Sequence, residues 1–343
     1  MKRRILTLLL VTFSILLFFF LNLILGTISI PVNSVWNILW GSGDEPIIWK
    51  NIILKTRFPQ TLTALMAGAG LSISGLQMQT LFRNPLAGPS ELGISSGASL
   101  GVAFIILLSG SIAGTAMSSL GFFGEVAVTV AAVAGAMAVM AIIIAISQRV
   151  RGNVILLIIG VMIGYIATAI IGVLKFFSNE EDVRAYVIWG LGSFSKVSGN
   201  QVHTFVLLMT FLIPMSFLFI KTLNLMLLGD GYARNLGLNV KRARLSVITC
   251  SCVLTAIVTA YCGPIVFLGL AVPHLCKAIF VTSDHRILMP AVTLTGASLA
   301  LLCNLIARMP GFEGALPINS VTALIGAPIV ISVLFGKRRS ELS

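Results

Sequence analysis

Residues 93–97, Gly-Ile-Ser-Ser-Gly, match G-x-S-x-G, the turn on which many hydrolases mount a nucleophilic serine. That chemistry needs a strand before the turn and a helix after it. The stretch ahead of Gly93 is Asn84-Pro85-Leu86-Ala87-Gly88-Pro89, a loop sequence, and no strand-rich segment surrounds it, so the match carries no catalysis. His203, His274 and His285 fall at different depths and on both sides of a membrane, so they cannot share one ion. A histidine held by a neighbouring helix accounts for His274 better than a ligand does. Cys250, Cys252, Cys262, Cys276 and Cys303 lie inside or at the edge of apolar runs. An odd count without ligand-like spacing makes neither a disulfide framework nor a zinc site. Gly336-Lys337 lacks the earlier glycine and the following hydroxyl of a phosphate-binding loop. No catalytic residue, metal or cofactor is expected, and any ATP hydrolysis must come from another polypeptide.

The elements that would position chemistry are membrane helices. Hydrophobic residues make up 57% of the 343 and charged residues only 10%, with a mean hydropathy of +1.03. Soluble domains carry roughly a quarter charged residues, so this chain cannot cover a water-facing surface. A crossing helix needs about 20 mostly apolar residues. Stretches of that kind lie at 5–25, 61–82, 93–109, 126–147, 154–174, 202–220, 245–262, 265–281, 289–307 and 318–335. The expected fold is an all-α polytopic membrane protein of about ten transmembrane helices. Residues 1–343 form a single transmembrane domain, and its largest polar segments are 26–60, 175–201 and 221–244. Lys2-Arg3-Arg4 resembles a signal-peptide n-region, but the apolar run is too long and no cleavage site follows Gly26, so the first helix is retained.

Ten spans with a cytoplasmic N-terminus put fifteen Lys and Arg inside and seven outside, Lys277 lying within a span. With the acidic residues counted, the net charge is +11 inside and zero outside. Positive-inside asymmetry of this kind fixes both termini in the cytoplasm. The charges sit in short clusters, not on the contiguous basic face a nucleic acid needs. Glycines four apart, such as Gly68, Gly97 with Gly101, and Gly160 with Gly164, let helix backbones approach closely, chiefly within one subunit. No ionisable residue sits near the midplane, where ion-coupled carriers place one. An ion-coupled secondary transporter is the alternative function. An intramembrane lipid-modifying enzyme is a third, and would need paired polar groups at one depth, which the spans lack.

One polar segment stands out. Gly229, Asp230, Gly231, Tyr232, Ala233, Arg234, Asn235, Leu236, Gly237 and Leu238 read as a short amphipathic helix ended by Gly237. A solvated loop has no need of Tyr232, Leu236 and Leu238. The residues alone leave two explanations open: a knob docking into a partner, or a helix lying on the membrane surface.

Several long motifs, in consistent order over residues 50–336, carry a resemblance to a known family. They are Arg57-Phe58-Pro59-Gln60-Thr61-Leu62 with Ala67-Gly68-Ala69-Gly70, Ser74-Gly75-Leu76-Gln77-Met78-Gln79, and Phe82-Arg83-Asn84-Pro85-Leu86-Ala87. Gly263-Pro264-Ile265-Val266-Phe267-Leu268-Gly269-Leu270, Pro273-His274, Asp284-His285-Arg286, Ala307-Arg308 and Gly326-Ala327-Pro328 continue the series. Together they resemble FecCD-type permeases, the membrane subunits of ATP-binding-cassette importers for ferric siderophores, haem and cobalamin. The resemblance implies ten helices per subunit and a bacterial cytoplasmic (inner) membrane location. It implies a second permease subunit as partner, two cytoplasmic ATPase subunits, and a periplasmic or lipid-anchored substrate-binding protein. It makes Gly229, Asp230, Tyr232, Ala233, Arg234, Leu236, Gly237 and Leu238 the ATPase-coupling element. It also assigns Arg57 and Arg308 to docking of acidic residues on the binding protein. The chain departs from the family at Gln60, where an arginine is common, and at Asn304, where an aspartate is common.

Overall fold

The structure, a computed structural model, describes residues 2–26, 28–41, 45–113, 122–149, 153–197, 199–309 and 315–341. Arg151, counted above among the cytoplasmic charges, lies outside the described residues. Every regular element among the described residues is helical. In chain order they are α1 (Lys2–Ile24), α2 (Val32–Trp40), α3 (Ile47–Asn51), α4 (Phe58–Phe82), α5 (Ile94–Ala113), α6 (Phe122–Arg149), α7 (Asn153–Phe177) and α8 (Glu180–Gly190). There follow α9 (Asn200–Phe217), α10 (Ile220–Leu227), α11 (Asp230–Asn235), α12 (Val240–Cys262), α13 (Leu268–Phe280), α14 (His285–Ala307) and α15 (Ile318–Glu341). A π-helical turn over Ile52–Arg57 joins α3 to α4 without a break in direction of winding.

Each of the ten apolar stretches lies on these helices. Five of them, on α1, α6, α7, α12 and α14, are long and apolar enough to cross a bilayer unaided. The stretch 202–220 is broken: α9 carries Pro214 and meets α10 at a bend of 46°. Proline removes a backbone donor and crowds the preceding turn, which is the ordinary cause of such a kink. The stretch 265–281 is corrected by the structure. Its helix begins only at Leu268, and at 13 residues α13 covers about 20 Å of a 30 Å core. The non-helical residues before it are tolerable because protein satisfies their backbone. Asn319 accepts from the Val266 N–H at 3.0 Å and donates to the Pro264 carbonyl at 2.7 Å.

The centre of the bundle is α4, buried on every side from Ala67 to Phe82. Its sequence explains why. Glycine, alanine, serine and threonine take the places a lipid-facing helix would give to leucine, and small residues let neighbouring backbones come close. Gly68 meets the backbone of Gly296 in α14, and Gly75 meets that of Gly269 in α13. Ser74 Oγ lies 2.9 Å from Thr255 Oγ1 in α12. A second close pair joins α5 to α6, with Gly97 and Gly101 against Gly135 and Ala131. The expected packing role of these glycines within one subunit is what the structure displays. By contrast α1 is peripheral, with 6% of its apolar window buried, and touches the bundle through Ser14–Ser298 and Asn22–Leu301 hydrogen bonds to α14. All five cysteines are buried and free, as small apolar residues would be.

A methyl group at Gly75 would run into backbone atoms of α13, which cannot rotate away. Gly75→Ala should therefore cost about 1–3 kcal/mol by overpacking. Gly172→Ala, on the exposed face of α7 with open space around it, should be neutral or slightly stabilising. Thermal unfolding of both variants in detergent, followed through the buried thiols, checks the contrast.

Candidate functional site

At one end of the bundle the chain leaves α10, turns through Gly229 at φ +105°, forms α11, and enters α12. Only glycine adopts that φ without strain. Gly237, at φ +86°, ends the segment. Its N–H donates to the Arg234 carbonyl at 2.9 Å, and the Leu238 N–H donates to the Ala233 carbonyl at 3.0 Å. That pair of bonds is a Schellman close, which consumes two orphan carbonyls of the short helix. Ala233 is buried against the bundle, while Tyr232 and Leu236 stand out at 69% and 58% exposure. Leu238 behaves differently from Leu236: it is half-buried and packs on the main core.

Asp230 fastens this knob to two long helices. Its carboxylate accepts from Arg83 Nη2 at 3.2 Å and from Arg244 Nη2 at 3.0 Å. Arg83 is the residue after α4, held in the left-handed region at φ 48°, and the same Nη2 also donates to the Met226 carbonyl at 3.0 Å. Arg244 lies in the first turns of α12. Pairs this exposed contribute about 0–1 kcal/mol each to stability, so their effect is positional. Arg83 belongs to the 82–87 motif and Arg244 counted only as a topology charge, and neither a motif nor a charge count says which charges meet.

A second clip lies beside the first. Asn224 in α10 donates to Asp284 Oδ1 at 2.7 Å, and its own carbonyl accepts from the His285 backbone N–H at 2.9 Å and from Nδ1 at 2.8 Å. His285 Nε2 lies 2.8 Å from Thr80 Oγ1 in α4. With the Nδ1 proton given to Asn224, Nε2 is an acceptor and shares the Thr80 hydroxyl with the Leu76 carbonyl, 2.8 Å from Oγ1. Asp284 caps α14 through the Arg286 N–H, and that bond, followed by the one from Asn224, holds its carboxyl below the usual range. His274, one helix away, is held by Gln79 Nε2 at 3.2 Å, as expected of a histidine satisfied by a neighbour.

The two arginines assigned to docking lie together at the opposite end, in different states. Arg57 is buried at 1% exposure. Its Nη1 donates to the carbonyls of Leu23 and Ile24 at 2.8 and 2.7 Å, and its Nη2 donates to Ile28. It thus closes the end of α1 and does not reach outward in this structure. Arg308 follows α14, is half-buried, and keeps Nη1 without a hydrogen-bond partner. Burial and then the charge of Arg57 bring Arg308 down to about 10. Both guanidinium groups press on Gly26: a Cβ there would lie 2.9 Å from Arg57 Nη2 and 3.2 Å from Arg308 Nη2.

The two departures from the family pattern meet each other. Gln60 Nε2 donates to Asn304 Oδ1 at 2.9 Å, and Asn304 Nδ2 donates to Asn22 Oδ1 at 2.7 Å. A chain of neutral amides therefore joins α4, α14 and α1 at these positions. At this end too is a cavity of about 630 Å³, lined among others by Glu125, Asp182, Trp189, Lys196 and Tyr261. Lys196 Nζ donates to the Ile188 and Trp189 carbonyls at the end of α8, and burial lowers it to about 8. Nothing in the sequence marks this cavity, since its lining comes from six separate segments.

Comparison with known proteins places the chain among transport permeases. The model of the FecCD transport family matches residues 14–336. The hemin transport system permease protein of Yersinia pestis is 33% identical over 92% of this chain and 91% of its own. The vitamin B12 import system permease protein of Escherichia coli O9:H4 is 35% identical over 86% and 85%. A solved inward-facing conformation of a metal-chelate type ABC transporter superposes with a TM-score of 0.82 at 27% identity, covering 96% of this chain and 99% of its own.

The amide chain generates a double-mutant test. Asn304→Asp buries a carboxylate whose hydrogen-bonding neighbours, Gln60 and Asn22, are neutral amides, and should cost about 3 kcal/mol or more. Gln60→Arg alone adds an unpaired buried cation of similar cost. The double variant should recover at least about 1 kcal/mol over the sum in unfolding measurements, since contacting sites are not additive.

Proposed function

The chain belongs to the FecCD transport family, and we propose that it is the permease subunit of an ATP-binding-cassette importer. It carries a metal chelate, a ferric siderophore or a related haem or cobalamin cargo, inward across the bacterial cytoplasmic membrane. The relatives named for hemin, vitamin B12 and metal chelates support that cargo class. Both termini and the 221–244 coupling loop face the cytoplasm, as the charge count favours. A second copy of the chain completes the pathway, two separate ATPase subunits supply hydrolysis, and a substrate-binding protein delivers cargo at the Arg57 end.

The observation that carries this is the knob on α11. It offers Tyr232 and Leu236 to a partner on a bracket locked by Gly229, Gly237 and Asp230. A helix lying on lipid needs one coherent apolar face, and here exposed Tyr232 and Leu236 are separated by exposed Arg234 and Asn235. Movement of the ATPases is passed through Asp230 to Arg83 and Arg244, hence to α4 and α12 at once. A ligand-driven shift requires contacts that differ between two states, and the paired bridges of Asp230 are where they change. At the other end Arg308, half-buried in this structure, turns outward to take a carboxylate of the binding protein, a charge-assisted bond of the stronger kind. Arg57 supports it by fixing the end of α1.

Leu236→Asp should abolish association with the ATPase subunits and uptake, while leaving the melting temperature of the isolated chain unchanged. Leu238→Asp should lower that melting temperature as well, because its side chain is packed inward. Full uptake by the Leu236→Asp variant would remove α11 from the mechanism. Accumulation by the chain alone in liposomes, driven by a proton gradient, would replace the importer with a secondary carrier.

A further inference from the structure

Helix α2 is apolar on two sides, and only one of them is used. Val35 and Ile38 face inward and form a small separate core with Leu23, Ile30 and Ile53. Val32, Trp36 and Trp40, spaced four apart, form the opposite edge and project outward, the tryptophans at 55% and 71% exposure. Their rings sit 5.7 Å apart. The polar strip is narrow: Ser34 is buried, and Asn37 donates to Glu45 at 3.0 Å.

The depth of α2 identifies what covers that edge. Leu23, on which it packs, belongs to the last turn of α1, and Arg57 hydrogen-bonds to the carbonyls of Leu23 and Ile24. Along α1 the exposed apolar side chains include Leu6, Leu9, Phe13, Leu16, Leu17 and Phe20, a lipid-facing row. Past the end of the helix Leu25, Ile28, Val32, Trp36 and Trp40 are exposed and apolar as well. Tryptophan prefers the headgroup level, where its ring is half in hydrocarbon and its N–H reaches water. A short helix with one face on protein and a tryptophan edge at that depth has the chemistry of an interfacial anchor.

We propose that α2 lies in the headgroup layer at the Arg57 end of the bundle, with Val32, Trp36 and Trp40 seated in lipid. The segment 26–60 is then not an aqueous loop but a fixed collar that holds Gly26, Arg57 and Arg308 at the membrane surface. Which leaflet it enters rests on the orientation proposed above; the lipid contact does not.

The test uses the full-length chain in vesicles of phosphatidylethanolamine and phosphatidylglycerol, with Trp49→Phe and Trp189→Phe so that emission reports Trp36 and Trp40. A nitroxide-headgroup lipid should remove most of that emission, and acrylamide in the water should remove little. Efficient acrylamide quenching without lipid quenching would place the helix in water and overturn the proposal. Protection from both would show a protein cover, such as a second copy, and overturn it equally. Because Trp189 is buried, a spin label at Trp36→Cys or Trp40→Cys in the otherwise native chain gives an independent reading. Oxygen should broaden it more than a water-soluble nickel chelate does, and the reverse order would overturn the proposal. A chain that failed to import anything would still give these depths.

Discussion

A helix with no lipid-facing side imposes the rest of the architecture. In a bilayer the hydrophobic effect does not draw helices together, so a central helix is held by close packing and by hydrogen bonds between side chains. From Ala67 to Phe82, α4 meets that requirement with small and hydroxyl residues. Four helices press on it: α14 at Gly68, α9 at Gly70, α12 at Ser74 and α13 at Gly75. Its ends are functionally unlike. Arg57 precedes its first residue and Arg83 follows its last, about 37 Å away along the axis. One packed rod therefore joins the end that holds the paired arginines to the end that carries the knob.

The linkage at the knob works through geometry more than through strength. Two partly exposed bridges to Asp230 add little to stability, but they converge on one carboxylate from helices that are not sequence neighbours. A displacement of α11 by a partner must move Arg83 and Arg244 together or break one bridge. Asn224 extends the same constraint to α14 and, through His285, back to Thr80 on α4. The segment from α10 to α12 is thus tied at four points, and α11 is its one outward step.

Much of this was legible in the sequence because the bilayer makes length and hydropathy decisive. All ten apolar stretches fell on helices, and Gly237 ended α11 as its φ preference implies. The stretch 265–281 is helical only from Leu268, and hydropathy does not register that an apolar chain can run non-helically when Asn319 satisfies it. Segments 26–60 and 175–201 looked aqueous, yet α2 and α8 lie within them, since a nine- or eleven-residue amphipathic helix is too short to stand out from a polar loop. Leu236 and Leu238 looked equivalent by type; the left-handed turn at Gly237 sends them to opposite sides. Gln60 and Asn304 looked like two separate departures. They are 244 residues apart in the chain, and only the packing of α4 on α14 shows that their side chains meet.

The adjacency of Arg57 and Arg308 calls for a source of negative potential, because two guanidinium groups on Gly26 repel each other and each is penalised by burial. Among the described residues neither has a carboxylate bridge. The end of α1 provides the compensation. Its last carbonyls have no intrahelical donors and carry the negative end of the helix dipole. Arg57 takes three of the carbonyls in that region and so is neutralised locally, by backbone and not by a side chain. Arg308 receives none of that; its Nη1, like Arg57 Nε, is buried without a hydrogen-bond partner among the described residues. The asymmetry divides the labour: Arg57 binds α1 to α4, and the uncompensated charge left on Arg308 is the one with something to gain from an incoming carboxylate. Exchanging the two roles would require freeing the end of α1, which would expose its carbonyls at the hydrocarbon boundary.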